Sequence, residues 1–169
     1  MVVVPADSLS AMERLWAPWR MSYIGGPREP GCVFCAKASQ SDEDALIVHR
    51  GERCYAVLNL YPYGSGHLMI VPFRHVAAPG ELHADESAEL WELLAQGLDA
   101  TARALGAEGH NAGFNLGAAA GAGIADHLHL HVVPRWNGDV NFMPALADVR
   151  VMPQALSETR AALAAAWRA

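Results

Sequence analysis

The stretch His127-Leu-His-Leu-His-Val-Val133 alternates imidazole with aliphatic side chains. A period of two is that of a β-strand, so the pattern predicts a strand with three imidazoles on one face and aliphatic groups on the other. Pro134 follows and is expected to close it. Adjacent buried imidazoles each need hydrogen-bond partners, so such a row costs more stability than it returns and points to chemistry. Two rival readings are a solvated face that carries histidines by chance and a metal ion shared by histidines one residue apart. The chemical reading is stronger. With an ordinary pKa of about 6.5, imidazole is mostly neutral at pH 7, nucleophilic, and able to leave again. One ring nitrogen is free for attack when the other donates to a fixed acceptor. His129 can then attack while His131 donates to the oxygens of the group attacked, and phosphorus suits both acts.

Upstream of that strand, Gly117-Ala-Ala-Ala-Gly-Ala-Gly123 is a loop whose three glycines allow close backbone approach to a ligand. Asn111–Leu116 before it reads as a strand. From Asp85 to Leu105 the apolar positions Leu90, Leu93, Leu94, Leu98, Ala102 and Leu105 recur at helical spacing, with Gly106 beyond the last. Asp85 is the expected N-cap, and Ala88 three residues on leaves the capping box open. Ala45–Val48 and Cys54–Leu58 read as a hairpin turning at His49-Arg-Gly-Glu52, and His67–Val71 as a central strand stopped by Pro72. Pro153–Trp167 predicts a terminal helix with the proline in its first turn. Residues 1–31, with Trp16, Trp19, Tyr23 and four prolines, read as an arm that packs on something else. The expected fold is therefore α+β: a five-stranded antiparallel sheet with a long helix on one face and a C-terminal helix. Its parts are an arm over 1–31, a domain over 32–150, and a helix over 151–169 that packs on the same domain.

Composition narrows the function. In a chain of 169 residues, 52% are hydrophobic and 18% charged, which suits one folded domain and excludes disorder as a theme. The net charge of −6 and the lack of a basic run argue against long nucleic acid as a partner. No apolar run approaches the ~18 residues of a spanning helix, and Met1-Val-Val-Val-Pro5 lacks a basic n-region, so no membrane partner and a cytoplasmic location are expected. Cys32-Val-Phe-Cys35 has zinc-knuckle spacing but no second pair within finger distance. That spacing leaves a metal site, two small buried hydrophobes and a redox pair all open. Cys54, in an apolar run, reads as packing; His49, His83 and His110 read as exposed; Trp91 reads as core or interface.

His127–Val133 with Pro134-Arg135 resembles the signature of the histidine triad family, nucleotide hydrolases and transferases that work through a nucleotidyl-histidine. Asn59-Leu-Tyr-Pro-Tyr-Gly-Ser-Gly-His67 with Leu-Met-Ile-Val-Pro72 resembles that family's ribose-binding strand and turn. Asn115-Leu-Gly117 and the glycine loop resemble its phosphate segment. Leu15–Ile24 and Pro134–Phe142 resemble the bacterial branch that acts on diadenosine tetraphosphate, including its phosphorylases. The resemblance implies His129 as nucleophile, His131 as a phosphate contact, His67 as a supporting imidazole, Asn59 on the ribose, and Asn115, Gly121 and Gly123 along the phosphates. It also implies a structural zinc held by Cys32, Cys35, His75 and His127, an adenine-nucleotide substrate, and a homodimer. A phosphoramidase of the same family and a non-catalytic nucleotide-binding module are the alternatives. One departure stands out: where relatives carry Gln, Ser or Thr just before the triad, this chain has Gly123 and Ile124. Neither side chain can hydrogen-bond a phosphate oxygen, which leaves loop N–H groups or a different leaving-group preference.

Overall fold

The computed structural model describes residues 31–139 and 154–167, so the expected arm, with Trp16 and Trp19, lies outside the described residues, as does Pro153. The described chain opens with two short helices that periodicity missed because each is under two turns. Helix α1 is Val33–Ala38, with Cys32 at its N-cap position. Helix α2 is Asp42–Ala45; the Ser41 hydroxyl accepts from the Asp44 N–H at 3.2 Å, and the acidic first turn suits the positive helix end. Ala45, expected in the first strand, therefore ends a helix. Leu46, at φ 61°, makes the left-handed turn into the strand.

The sheet comprises β1 (Ile47–Arg50), β2 (Cys54–Leu58), β3 (Leu68–Pro72), β4 (Gly109–Phe114) and β5 (Leu130–Arg135). All pairs are antiparallel, in the order β1-β2-β3-β5-β4, with β3 in the middle as its unbroken apolar run predicts. Two strand expectations are corrected here. His127 and His129 lie on the approach to β5, with only His131 inside it. Pro134 does not close the strand: it pairs opposite His110 on β4. Pairing with β3 ends at Val132, so at Pro134 the strand has a neighbour on one side only, where a missing N–H is tolerated.

The long helix α3, Ala84–Leu105, sends Leu90, Leu93 and Leu94 onto Ala56, Leu58, Leu68, Ile70, Leu130 and Val132 on one sheet face. Its N-cap is His83 instead of Asp85, and the Glu86 carboxylate reaches back to accept the His83 N–H at 2.8 Å. Gly106, at φ 67°, ends the helix as its position predicts. Helix α4, Leu156–Ala166, adds Leu163 to the same core. Beyond it, Trp167 donates to Gln96 Oε1 at 2.7 Å and stacks on His49 at 5.3 Å. His49 is thus half-buried, not exposed, and so is His110, whose Nε2 lies 2.7 Å from the Thr101 hydroxyl. Trp91 sits outside the core, 59% exposed. Cys54 is fully buried, and burial, followed by Glu89 and Glu86, pushes its thiol up to about 12, which fits packing.

The opposite sheet face holds Tyr55, Val57, Met69 and Val71, covered by Phe34 of α1. Tyr55 donates to the Phe34 carbonyl at 2.8 Å, tying α1 to the sheet. The register sets Val57, Met69, His131 and Gly113 in one row across β2, β3, β5 and β4. Because side chains alternate, His67, two residues before Met69, falls on that face as well.

Candidate active site

A cleft on this second face is lined by Phe34 and Lys37 of α1, Asn59, Tyr61 and Tyr63 of the β2–β3 loop, Asn115, Gly121 and Gly123, and the two imidazoles of His129 and His131. Loop, helix and strand approach reach it from separate parts of the chain, and the antiparallel register joins them. Every residue assigned to nucleotide contact from sequence lines it; His67 does not, being fully buried behind His131.

The imidazoles are wired through the backbone. His129 Nδ1 lies 2.8 Å from the carbonyl of His127, an acceptor only, so Nδ1 carries the proton and Nε2 keeps its lone pair. Burial holds the His129 imidazole below its ordinary pKa, and its bond to the His127 carbonyl opposes that shift. Phe34 packs on the ring at 4.9 Å between centroids. The neighbouring pair has an equally forced order. The Tyr63 N–H donates to His67 Nδ1 at 3.0 Å, so His67 must carry its proton on Nε2, 2.9 Å from His131 Nδ1. His131 in turn carries its proton on Nε2, which lies 3.2 Å from the Asn115 amide nitrogen. A phosphate oxygen placed beside this pair can accept from such N–H groups. Asn59 is held by its side-chain oxygen, which accepts the Tyr61 N–H at 2.9 Å.

A second cluster lies behind the first. Cys32, Cys35, His75 and His127 place their ligand atoms all within 4.8 Å of one another. Cys32 Sγ and His127 Nδ1 are 3.1 Å apart, Cys35 Sγ and His75 Nδ1 3.4 Å, and Cys35 Sγ and His127 Nδ1 3.6 Å. A tetrahedral zinc with ordinary bond lengths separates sulfur and nitrogen ligands by roughly 3.6 Å, so the group could hold a metal ion. His127 Nε2 sits 2.9 Å from the Pro72 carbonyl, which puts the proton there and turns an unprotonated Nδ1 toward the thiols, as a ligand requires. Burial lowers the pKa of His127, which also keeps it neutral. His127 thus has its ring in one cluster and its carbonyl in the other.

Sequence reasoning missed three residues here. Phe34, between the two cysteines, was hidden by the unforeseen helix. Tyr63 shows only as one aromatic of a turn. Lys37, whose amine donates to the Ala45 carbonyl at 2.6 Å, carries no motif at all; burial lowers its pKa.

The comparisons with known proteins agree with this geometry. A protein of Mycobacterium tuberculosis named AP-4-A phosphorylase is 42% identical over 165 residues, covering 92% of this chain and 85% of that one. The structure of a Zn-bound histidine triad family protein from Mycobacterium smegmatis superposes with a TM-score of 0.65 at 27% identity, covering 80% of this chain and 92% of that one. A histidine triad nucleotide-binding protein of Sulfolobus tokodaii shares the fold, with a TM-score of 0.64 at 24% identity over 80% of this chain and 91% of that one. Residues 40–138 match the HIT domain model, and with that match, the triad and the sheet that carries it, the chain belongs to the HIT domain family.

Proposed function

We propose that the protein cleaves dinucleoside polyphosphates, diadenosine tetraphosphate first among them, by transferring a nucleotidyl group to His129 and from there to inorganic phosphate. The observation that carries this reading is the bond from His129 Nδ1 to the His127 carbonyl, which leaves Nε2 as a nucleophile at the floor of the cleft. The 42% identity to an AP-4-A phosphorylase supports the substrate and favours phosphate over water as acceptor.

In the first step His129 Nε2 forms a bond to the α-phosphorus while the bond to the bridging oxygen breaks and its electron pair departs with ATP. In the second, a phosphate oxygen attacks that phosphorus, the N–P bond breaks, and ADP leaves with the imidazole restored. His131 Nε2–H and the Asn115 amide stabilise charge on the non-bridging oxygens, His67 fixes the proton order of His131, and Asn59 takes the ribose. The Cys32, Cys35, His75 and His127 cluster is assigned to zinc. Bound there, the ion supplies a closed structural cross-link and no reaction chemistry. A homodimer and a cytoplasmic location belong to the same proposal and rest on the family resemblance. Incubation with diadenosine tetraphosphate and labelled phosphate tests the reaction: ATP and labelled ADP are expected, and the label should be absent from products of His129→Ala. AMP and ATP formed regardless of phosphate would mean hydrolysis instead.

A further inference from the structure

Formal charge enters the cleft at one point. Of the described residues that line it, only Lys37 carries a charge at pH 7; no carboxylate and no arginine stands among them. Lys37 lies on α1 four residues after Val33, so the two share a helix face. Half-buried, its ammonium makes one hydrogen bond among the described residues, to the Ala45 carbonyl at 2.6 Å, and no ion pair. An ammonium has three donors and no acceptor, so two donors remain for a partner that accepts. Burial lowers the Lys37 pKa with no carboxylate to oppose the shift. A cation drawn out of water without a counter-ion costs stability, and a ligand that accepts from it returns part of that cost.

The fold places this ammonium at one end of the cleft. Ala45 adjoins Leu46, whose carbonyl accepts the Leu58 N–H at 3.0 Å, so Lys37 is anchored beside the end of β2 and Asn59. Asn115 follows β4, and the sheet order sets β3 and β5 between β2 and β4. Three strand spacings of about 4.8 Å each therefore separate the strand beside Lys37 from the strand that leads to Asn115. Next to Lys37 the lining is apolar, with Val33 and Phe34 on α1 and Leu60 after Asn59. Val33 and Leu60 are 43% and 52% exposed, two aliphatic surfaces that a planar base would cover.

We propose that Lys37 is a specificity-determining residue whose ammonium donates a hydrogen bond to a ring nitrogen of the adenine base, an assignment that rests on the reading of the cleft as a nucleotide site. With the phosphates at His131 and Asn115 and the ribose at Asn59, the base comes to the β2 end, between α1 and Leu60. A donor at that place favours a ring that presents an acceptor. It rejects an apolar ring of the same shape, because the ammonium would then lose water and gain no partner.

The test is a set of dissociation constants from isothermal titration of full-length protein purified with zinc present. The ligands are AMP, its 1-, 3- and 7-deaza analogues, and ribose 5-phosphate, which lacks a base. Lys37→Met keeps the aliphatic stem and removes the donors. In that variant AMP binding should weaken about 10-fold while ribose 5-phosphate stays within about twofold, which also reports an intact cleft. One deaza analogue should bind wild type about 10-fold more weakly than AMP, yet bind Lys37→Met as AMP does, since the variant has already lost that bond. Lys37→Arg, which keeps donors, should retain part of the discrimination. Equal weakening of AMP and ribose 5-phosphate in a Lys37→Met protein with wild-type circular dichroism would put the ammonium on the phosphates and overturn the assignment. Deaza losses identical in the two proteins, or an AMP change under about twofold, overturn it as well. Wild-type protein that binds neither AMP nor ribose 5-phosphate refutes the nucleotide reading, whereas AMP binding that ignores Lys37→Met refutes only the role of Lys37.

Discussion

At the level of single residues, chemistry here is decided by which nitrogen holds a proton. One backbone carbonyl strips His129 of any choice, and one backbone N–H, that of Tyr63, sets the order along His67 and His131. Replacing His131 by Phe keeps a planar ring but removes the donor that the proposed reaction sets against charge developing in the transition state. We expect kcat to fall by about 10²- to 10³-fold with a smaller change in KM, read from initial rates. His67→Ala should reproduce part of that loss, because it removes the donor that orders His131 together with the acceptor that holds the Tyr63 N–H. If His67→Ala matched wild type, the proton order argued above would be wrong. The spacing of the histidines was legible in the sequence as a period of two. Their tautomers were not, since both fixing groups are backbone atoms whose positions no side-chain pattern encodes.

Among the secondary-structure elements, α1 is where the two clusters meet. Cys32 and Cys35 bracket Phe34, whose ring covers His129 and whose carbonyl accepts the Tyr55 hydroxyl. A metal ion on the cysteines would pin this short helix, which is too brief to be stable alone. Chelation of the metal should therefore lower the thermal midpoint and expose the tryptic site after Lys37, while Cys32→Ser gives the same pattern without chelator; an unchanged midpoint on both counts would remove the structural role. Helix α3 offers a pH test. The Arg74 guanidinium beside Glu86, at 2.6 Å, is the main cause that holds its carboxyl down to about 2, with the His83 N–H assisting against burial. A carboxyl depressed in the folded state stabilises fully above its ordinary value of about 4.3 and loses that contribution as pH falls toward 2. Denaturant midpoints of wild type and Glu86→Gln should therefore converge between those values and separate above them. The capping pair itself escaped sequence reading because Asp85 is the better N-cap by type. His83 was chosen instead by the reach of Glu86, held by Arg74 from another part of the chain.

For the molecule as a whole, two faces of one sheet divide the labour. One buries α3 and α4 and supplies stability; the other carries α1, the triad and the cleft. Leu163 of α4 is fully buried in the first face, so Leu163→Ala should cost about 2–5 kcal/mol by chemical denaturation while kcat/KM at 25 °C stays near wild type. A loss of turnover in the folded variant would mean that the two faces are not independent.

The sequence alone determined the strand period, the long helix, the central place of β3 and the row of imidazoles that reaches the cleft, because each follows from local spacing or residue type. It could not show that His127 serves both clusters or that Tyr63 reaches Asn115. Those facts depend on strand register and on backbone groups brought together across 50 or more residues, and only tertiary structure sets such pairings, since closing those distances is a property of the whole fold.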